Sequence, residues 1–194
     1  MGKDSAISWC HHTFNLWWGC WKISAGCQHC YAATMDKRTG GDHWQRAGER
    51  KFMSAAYWRG PIAWNKAAAK AGERHRVFCG SMMDIGETHP NPVIAAQQNA
   101  ARDELWNLIL ATPNLDWLIL TKRPQNVLDM VPSSWLEHWP ENVWMGVSVY
   151  PISPTVKTAG AQYKGFQTRP RAAAGTYNVA DASHPSAGDC SQCH

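Results

Sequence analysis

"LDWLILTKRP", residues 115–124, is apolar without interruption from Trp117 to Leu120 and then turns abruptly to Thr121, Lys122 and Arg123. A short apolar run closed by polar and turn residues fits a strand buried on both faces, as in a parallel sheet. Two other segments follow the same pattern. "RHRVFCGSMMD" (74–84) carries Val77, Phe78 and Cys79 before turning polar, and "ENVWMGVSVY" (141–150) is apolar from Val143 to Val149 apart from Ser148.

The stretches between these runs have a helical period. "NPVIAAQQNAARDELWNLILAT" (91–112) sets Ala, Leu and Ile at helical spacing, with Asn91 as N-cap to Pro92 and with Pro113 and Asn114 closing it. "PQNVLDMVPSSWLEHW" (124–139) is helical in pattern but interrupted at Pro132, which predicts two short helices. Strand, helix, strand, helix, strand defines an α/β fold.

Each strand ends in polar residues: Ser81 and Asp84, then Thr121, Lys122 and Arg123, then Ser148. In parallel α/β architectures ligands sit at that edge, whether the sheet is open or closed into a barrel. Any one of these residues is equally well read as an ordinary solvated loop residue. All three strands end this way, which makes the six the candidate cofactor-binding set. Lys122 and Arg123 suit a phosphate or carboxylate, or a solvated turn before a helix.

Composition bounds the rest. The chain has 194 residues, enough for one domain with a real core, and a formal charge of +4. That mild basic balance permits an anionic partner such as a nucleotide or nucleic acid. The N-terminal "MGKDSAISWCHH" has no apolar core of a signal peptide, and no apolar stretch is long enough for a membrane span, so a cytoplasmic protein is expected. In a reducing compartment seven cysteines, an odd number, read as metal ligands or reactive groups rather than a disulfide framework. Composition breaks near residue 150: all twelve tryptophans and all the leucines precede it. The expected organisation is a domain over 1–150 and a low-complexity, disordered tail over 151–194.

Cys20, Cys27 and Cys30 lie within "GCWKISAGCQHCYAATMDKR" (19–38), spaced C-x6-C-x2-C on a Gly-containing segment that leads into a helical pattern from Tyr31. A structural zinc site takes four protein ligands, for which Cys10, His11, His12, His29 or the terminal "CSQCH" are available. A four-iron cluster instead takes one thiolate per iron, so three cysteines leave one iron open to a small molecule. Both readings stand on spacing. Cys10 and Cys79 are most simply buried small hydrophobes, and Cys190, Cys193 and His194 offer half a zinc site on the tail.

Four blocks, "SAISWCHHTFNLWWGCWKISAGCQHCYA" (5–32), "RVFCGSMMDIGE" (76–87), "DWLILTKRP" (116–124) and "NVWMGVSV" (142–149), resemble the phage gene product 37 / gene product 68 family. The cysteine block is similar in kind to that of radical S-adenosylmethionine (SAM) enzymes, where the usual spacing is C-x3-C-x2-C. The resemblance implies a partial (β/α) barrel-like parallel sheet with the cysteine loop after its first strand. It implies a [4Fe-4S] cluster on Cys20, Cys27 and Cys30, with SAM on the open iron cleaved by the reduced cluster to a 5′-deoxyadenosyl radical. Ser81 and Asp84 would contact SAM. Family members continue past "GVSV" with an acidic "EN" and further strand-helix units. Here "GVSVYPISPTVKTAG" (146–160) stands instead, so a truncated or frame-shifted member after about residue 149 is expected.

Two functions of different class follow. One is a radical SAM-like enzyme; the other is a zinc-stabilised binding protein, nucleic-acid associated, with an inactive fragment as a third outcome. Asp84 and Glu87 are the carboxylates nearest a strand end, but two carboxylates in a loop do not make an acid-base pair. No residue distinguishes a nucleic-acid base, a peptide or a small metabolite as substrate.

Overall fold

The computed structural model describes residues 4–149 and 163–166. Its elements are β1 (His12–Phe14), β2 (Trp17–Trp18), α1 (Tyr31–Arg38), β3 (Lys51–Phe52), α2 (Ala55–Trp58), α3 (Gly60–Ala71), β4 (His75–Cys79), α4 (Pro92–Leu110), β5 (Leu115–Thr121), α5 (Ser133–Glu137), β6 (Val143–Val149) and β7 (Tyr163–Phe166). The three apolar runs are β4, β5 and β6, and they pair in parallel with Val77 opposite Trp117 and Trp117 opposite Val143. A fourth parallel strand, β1, joins the outer side of β4 with His12 opposite Val77 and Phe14 opposite Cys79. The sheet order is β1-β4-β5-β6-β7.

β1 is a strand that apolar patterning did not reveal. It has three residues, two of them His12 and Thr13, and all three are buried. Its hydrogen bonds come from a partner more than sixty residues away, so local composition carries little of the signal. β7 pairs antiparallel to β6. Residues 163–166 are the described part of the expected tail; the rest of that expectation lies outside the described residues.

The helical connections follow their sequence signals. In α4 the Asn91 side chain accepts from the Val93 N–H at 2.9 Å, and Pro92 occupies the first turn, where its missing N–H costs no intrahelical bond. Pro132 divides the next connection into a 3-10 turn at Pro124–Asn126 and the short α5. Both faces of the sheet are covered. Val77, Cys79, Trp117, Ile119 and Val143 belong to one cluster with Leu105 and Ile109 of α4 and with Phe14. The alternate residues Phe78 and Leu120 face the other way and pack with Cys10, Ile7 and Trp9, whose ring lies 4.7 Å from Phe78. From this second, inner face Phe78 and Leu120 contribute to the lining of the site's cavity. Among the described residues no helix is long and apolar enough to cross a membrane.

Candidate functional site

The C-terminal ends of β4, β5 and β6 and the cysteine segment close around a cavity of about 110 Å³. Cys20, Cys27 and Cys30 line it from one side, and Ser81, Asp84, Thr121, Lys122, Arg123 and Ser148 line it from the strand ends. The three cysteines and the six strand-end residues singled out from the sequence therefore line one cavity. Cys10, His11, His12 and His29 do not line this cavity. Among the described residues no three His, Cys, Asp or Glu side chains converge closely enough to hold a metal ion as they stand. Cys190, Cys193 and His194 lie outside the described residues. Cys10 and Cys79 are buried, as expected of small apolar side chains.

The cysteine segment reaches the sheet edge through Gly19. Its φ is +119°, its N–H donates to the Met82 carbonyl at 3.0 Å, and a Cβ there would stand 2.5 Å from the His43 carbonyl oxygen. Only glycine tolerates both the positive φ and the close approach. Cys20 follows directly. Cys27 closes a 3-10 turn at Ala25–Cys27, and Cys30 is the N-cap residue of α1. Tyr31, the first residue of α1, donates its hydroxyl to the Ser81 carbonyl at 2.5 Å, which ties the cysteine segment to the end of β4.

Asp84 organises the opposite wall. One carboxylate oxygen accepts from Thr121 Oγ1 at 2.5 Å and from the Gly86 N–H at 3.0 Å. The other accepts from the Lys122 N–H at 3.0 Å and from Arg123 Nη1 at 2.7 Å. With four donors in place, Asp84 holds the β5 end and aims Arg123. Arg123 then reaches across to the cysteine segment: Nη2 donates to the Trp21 carbonyl at 2.9 Å, Nη1 lies 3.4 Å from Cys20 Sγ, and the guanidinium sits 4.9 Å from the Trp21 ring centroid. Ser81 is engaged with Asn15, whose Nδ2 donates to Ser81 Oγ at 2.9 Å. Lys122 is different. Its Nζ donates to Ser148 Oγ at 2.6 Å, and among the described residues it has no carboxylate within ion-pair distance.

These surroundings set the thiols apart. Burial, reinforced by the charges of Asp84 and Glu87, pushes the Cys20 thiol up to about 12 despite the Arg123 guanidinium beside it. Burial also opposes ionisation of Cys27, but hydrogen bonds at Ile23 and Ser24 and the charge of Lys122 outweigh it and hold this thiol below its ordinary value. Burial, then the neighbouring Cys30, raises the Tyr31 phenol to about 12, so it remains a donor at neutral pH. Burial works against the charge on Arg123, yet Cys20 and Asp84 raise its pKa above the ordinary value.

Several residues of the site were not singled out from sequence. Trp21, Lys22, Tyr31 and Trp44 also line the cavity. Arg50 and Glu87 form a fully buried bidentate pair at 2.7 and 3.1 Å, and Arg50 Nη1 donates to the carbonyls of His43, Gln45, Gly48 and Glu49. This pair pins the loop after α1 behind the cysteine segment. Glu87 also accepts from Gln98 Nε2 at 2.9 Å. Tyr31 was within reach of sequence reasoning, because it follows the last cysteine and opens a helix. The Arg50–Glu87 pair was not, because its members lie 37 residues apart with no shared local pattern.

The fold and site define an α/β protein with a three-cysteine cavity at the C-terminal edge of a parallel sheet. The chain belongs to the family described as protein of unknown function (DUF5131), which matches residues 4–160. No curated protein and no solved structure matches it.

Proposed function

We propose that this chain binds a [4Fe-4S] cluster through Cys20, Cys27 and Cys30 and works in the manner of the radical SAM enzymes, as a phage gene product 37/68-like protein. The observation that carries the reading is that three thiols and the polar ends of three parallel strands line one cavity. Soft thiolates suit iron-sulfur clusters, and a cluster needs one thiolate per iron rather than several donors packed around one ion. A mononuclear zinc site would require four donors within about 2.3 Å of one point. Within this reading such a cluster, when bound, supplies the electron for reductive cleavage of SAM. The chain's own residues supply the setting. Asp84 fixes Arg123 against the cysteine segment, Tyr31 fixes that segment to β4, and the inner-face residues Phe78 and Leu120 keep the cavity wall apolar. Lys122, bonded to the neutral Ser148, is the cation available for a carboxylate or phosphate.

The test is anaerobic reconstitution of the full chain with iron and sulfide, followed by metal and sulfide counts and an absorption spectrum. About four irons per chain and a broad band near ~400 nm, both lost in a Cys27→Ala/Cys30→Ala variant, are expected. Stoichiometric zinc in a colourless protein would overturn the proposal and support the zinc-stabilised alternative.

A further inference from the structure

The positive charge of this protein is not spread evenly. Residues 17–59 hold seven Lys and Arg against three Asp and Glu, a net +4 that equals the charge of the whole chain. Of these seven, Arg50 is buried against Glu87. The other six, Lys22, Lys37, Arg38, Arg46, Lys51 and Arg59, are exposed. Among the described residues none of the six has a carboxylate within 4.0 Å. Cations in ordinary surface pairs are already partly neutralised; among the described residues these six have no such pair.

Aromatic rings alternate with the cations. Lys51 lies 5.0 Å from the Trp18 ring centroid and Arg46 5.2 Å from that of Trp21. Trp21 lines the cavity together with Lys22, Tyr31 and Trp44, and its indole N–H is buried with no acceptor among the described residues. Tyr31 is 46% exposed, while its hydroxyl is anchored to the Ser81 carbonyl. An anchored, half-open ring at a cavity mouth is a stacking platform whose ordering is already complete before a ligand arrives. Cations for a backbone of phosphates, interleaved with platforms for flat rings, are the combination that holds unpaired nucleic-acid strands.

We infer that the cysteine segment, together with the loop after α1 and β3, is a binding surface for single-stranded nucleic acid, with phosphates on Lys22, Arg46 and Lys51 and one base against Tyr31 at the cavity mouth. A single strand is favoured over a duplex because a base must be free to stack. DNA and RNA share this chemistry. The inference rests on the preceding reading only for what would happen inside the cavity; binding of the strand needs no cluster, so each can fail without the other.

The experiment is fluorescence anisotropy of labelled 20-nucleotide DNA and RNA strands and of a 20-base-pair duplex, on the full chain before and after cluster reconstitution. Single strands are expected to bind more tightly than the duplex. With about three phosphate contacts the slope of log K against log salt is expected near −2. Lys22→Glu/Arg46→Glu should weaken binding at least about tenfold and flatten the slope by about 1.4. Lys66→Glu/Lys70→Glu, the same charge change on exposed positions of α3, should leave both nearly unchanged. Tyr31→Ala should weaken binding by about fivefold or more without changing the slope, and Tyr31→Phe, which keeps the ring but loses the hydroxyl anchor to the Ser81 carbonyl, should weaken it less. Preference for one strand type identifies the natural ligand as DNA or RNA. No binding at low salt, tighter binding of the duplex, or equal losses in the two double variants would overturn the inference. Binding that persists in a chain that takes up no cluster would leave it standing while removing the radical enzyme reading.

Discussion

Replacing Arg50 with Ala tests the support of the site at its most buried charge. The Arg50 and Glu87 side chains are both 0% exposed, joined by two hydrogen bonds, and Arg50 additionally holds four backbone carbonyls of the loop at residues 43–49. Removing the guanidinium leaves Glu87 as a buried carboxylate with Gln98 Nε2 as its remaining side-chain donor. Breaking a buried pair in this way costs about 3–5 kcal/mol. Chains of this size lose about 2–4 °C of Tm per kcal/mol, so Arg50→Ala should lower Tm by about 6–20 °C. The comparison is Arg74→Ala. Arg74 pairs with Asp116 at 2.7 Å, but their side chains are 49% and 22% exposed, so the expected loss is about 0.2–1 kcal/mol. Glu87→Gln preserves volume and leaves Arg50 charged without a counter-ion, so its loss should fall with Arg50→Ala rather than with Arg74→Ala. Thermal and urea unfolding of the three variants give the result. An Arg50→Ala shift no larger than that of Arg74→Ala would refute the view that this pair fastens the loop to the sheet.

Three further outcomes are expected. Gly19→Ala must place a Cβ near His43 O and Arg50 Cδ at a φ of +119°, and should lose about 1–3 kcal/mol in urea unfolding; an unchanged midpoint would show that the segment reaches the sheet edge differently. Trp117→Ala removes a fully buried ring from the centre of β5 and the bond from its Nε1 to Thr112 Oγ1 at 3.1 Å, for an expected loss of about 3–5 kcal/mol by the same measurement. His11 provides a pH dependence. Its Nδ1 accepts from the Arg76 N–H at 2.9 Å, and burial, then the charges of His75 and Arg76, lower its pKa below 6.5. The folded chain thus binds this proton less readily than the unfolded chain. The contribution is full above pH 6.5 and is lost as pH falls through the lowered folded value. The urea midpoint should therefore drop between about pH 7.5 and 5, and His11→Asn, which keeps an acceptor but cannot titrate, should show a smaller drop.

The legibility of the molecule follows the range of its interactions. β4, β5, β6 and α4 were readable because their burial is written in consecutive residues and their boundaries in Asn91, Pro92, Pro113 and the polar strand ends. The candidate site was readable for the same reason, since strand ends converge wherever parallel strands run side by side. β1 was not, because His12 and Thr13 gain their burial from β4 and from Trp64, whose ring stacks on His12 at 4.4 Å. Asp84 was recognised as a strand-end residue, but its task of holding Thr121 and Arg123 depends on partners 37 and 39 residues away. The Trp21–Arg123 contact spans 102 residues. Pairings at that distance are set by the fold and leave no local pattern.

The central claim is that the three cysteines hold a cluster with one iron open to a small molecule. Electron paramagnetic resonance of the reconstituted, dithionite-reduced chain, recorded with and without SAM, tests it most directly. A [4Fe-4S] signal that changes on adding SAM, and that is missing from Cys27→Ala/Cys30→Ala, is the predicted result. A cluster signal indifferent to SAM, or one that survives loss of both cysteines, would contradict it.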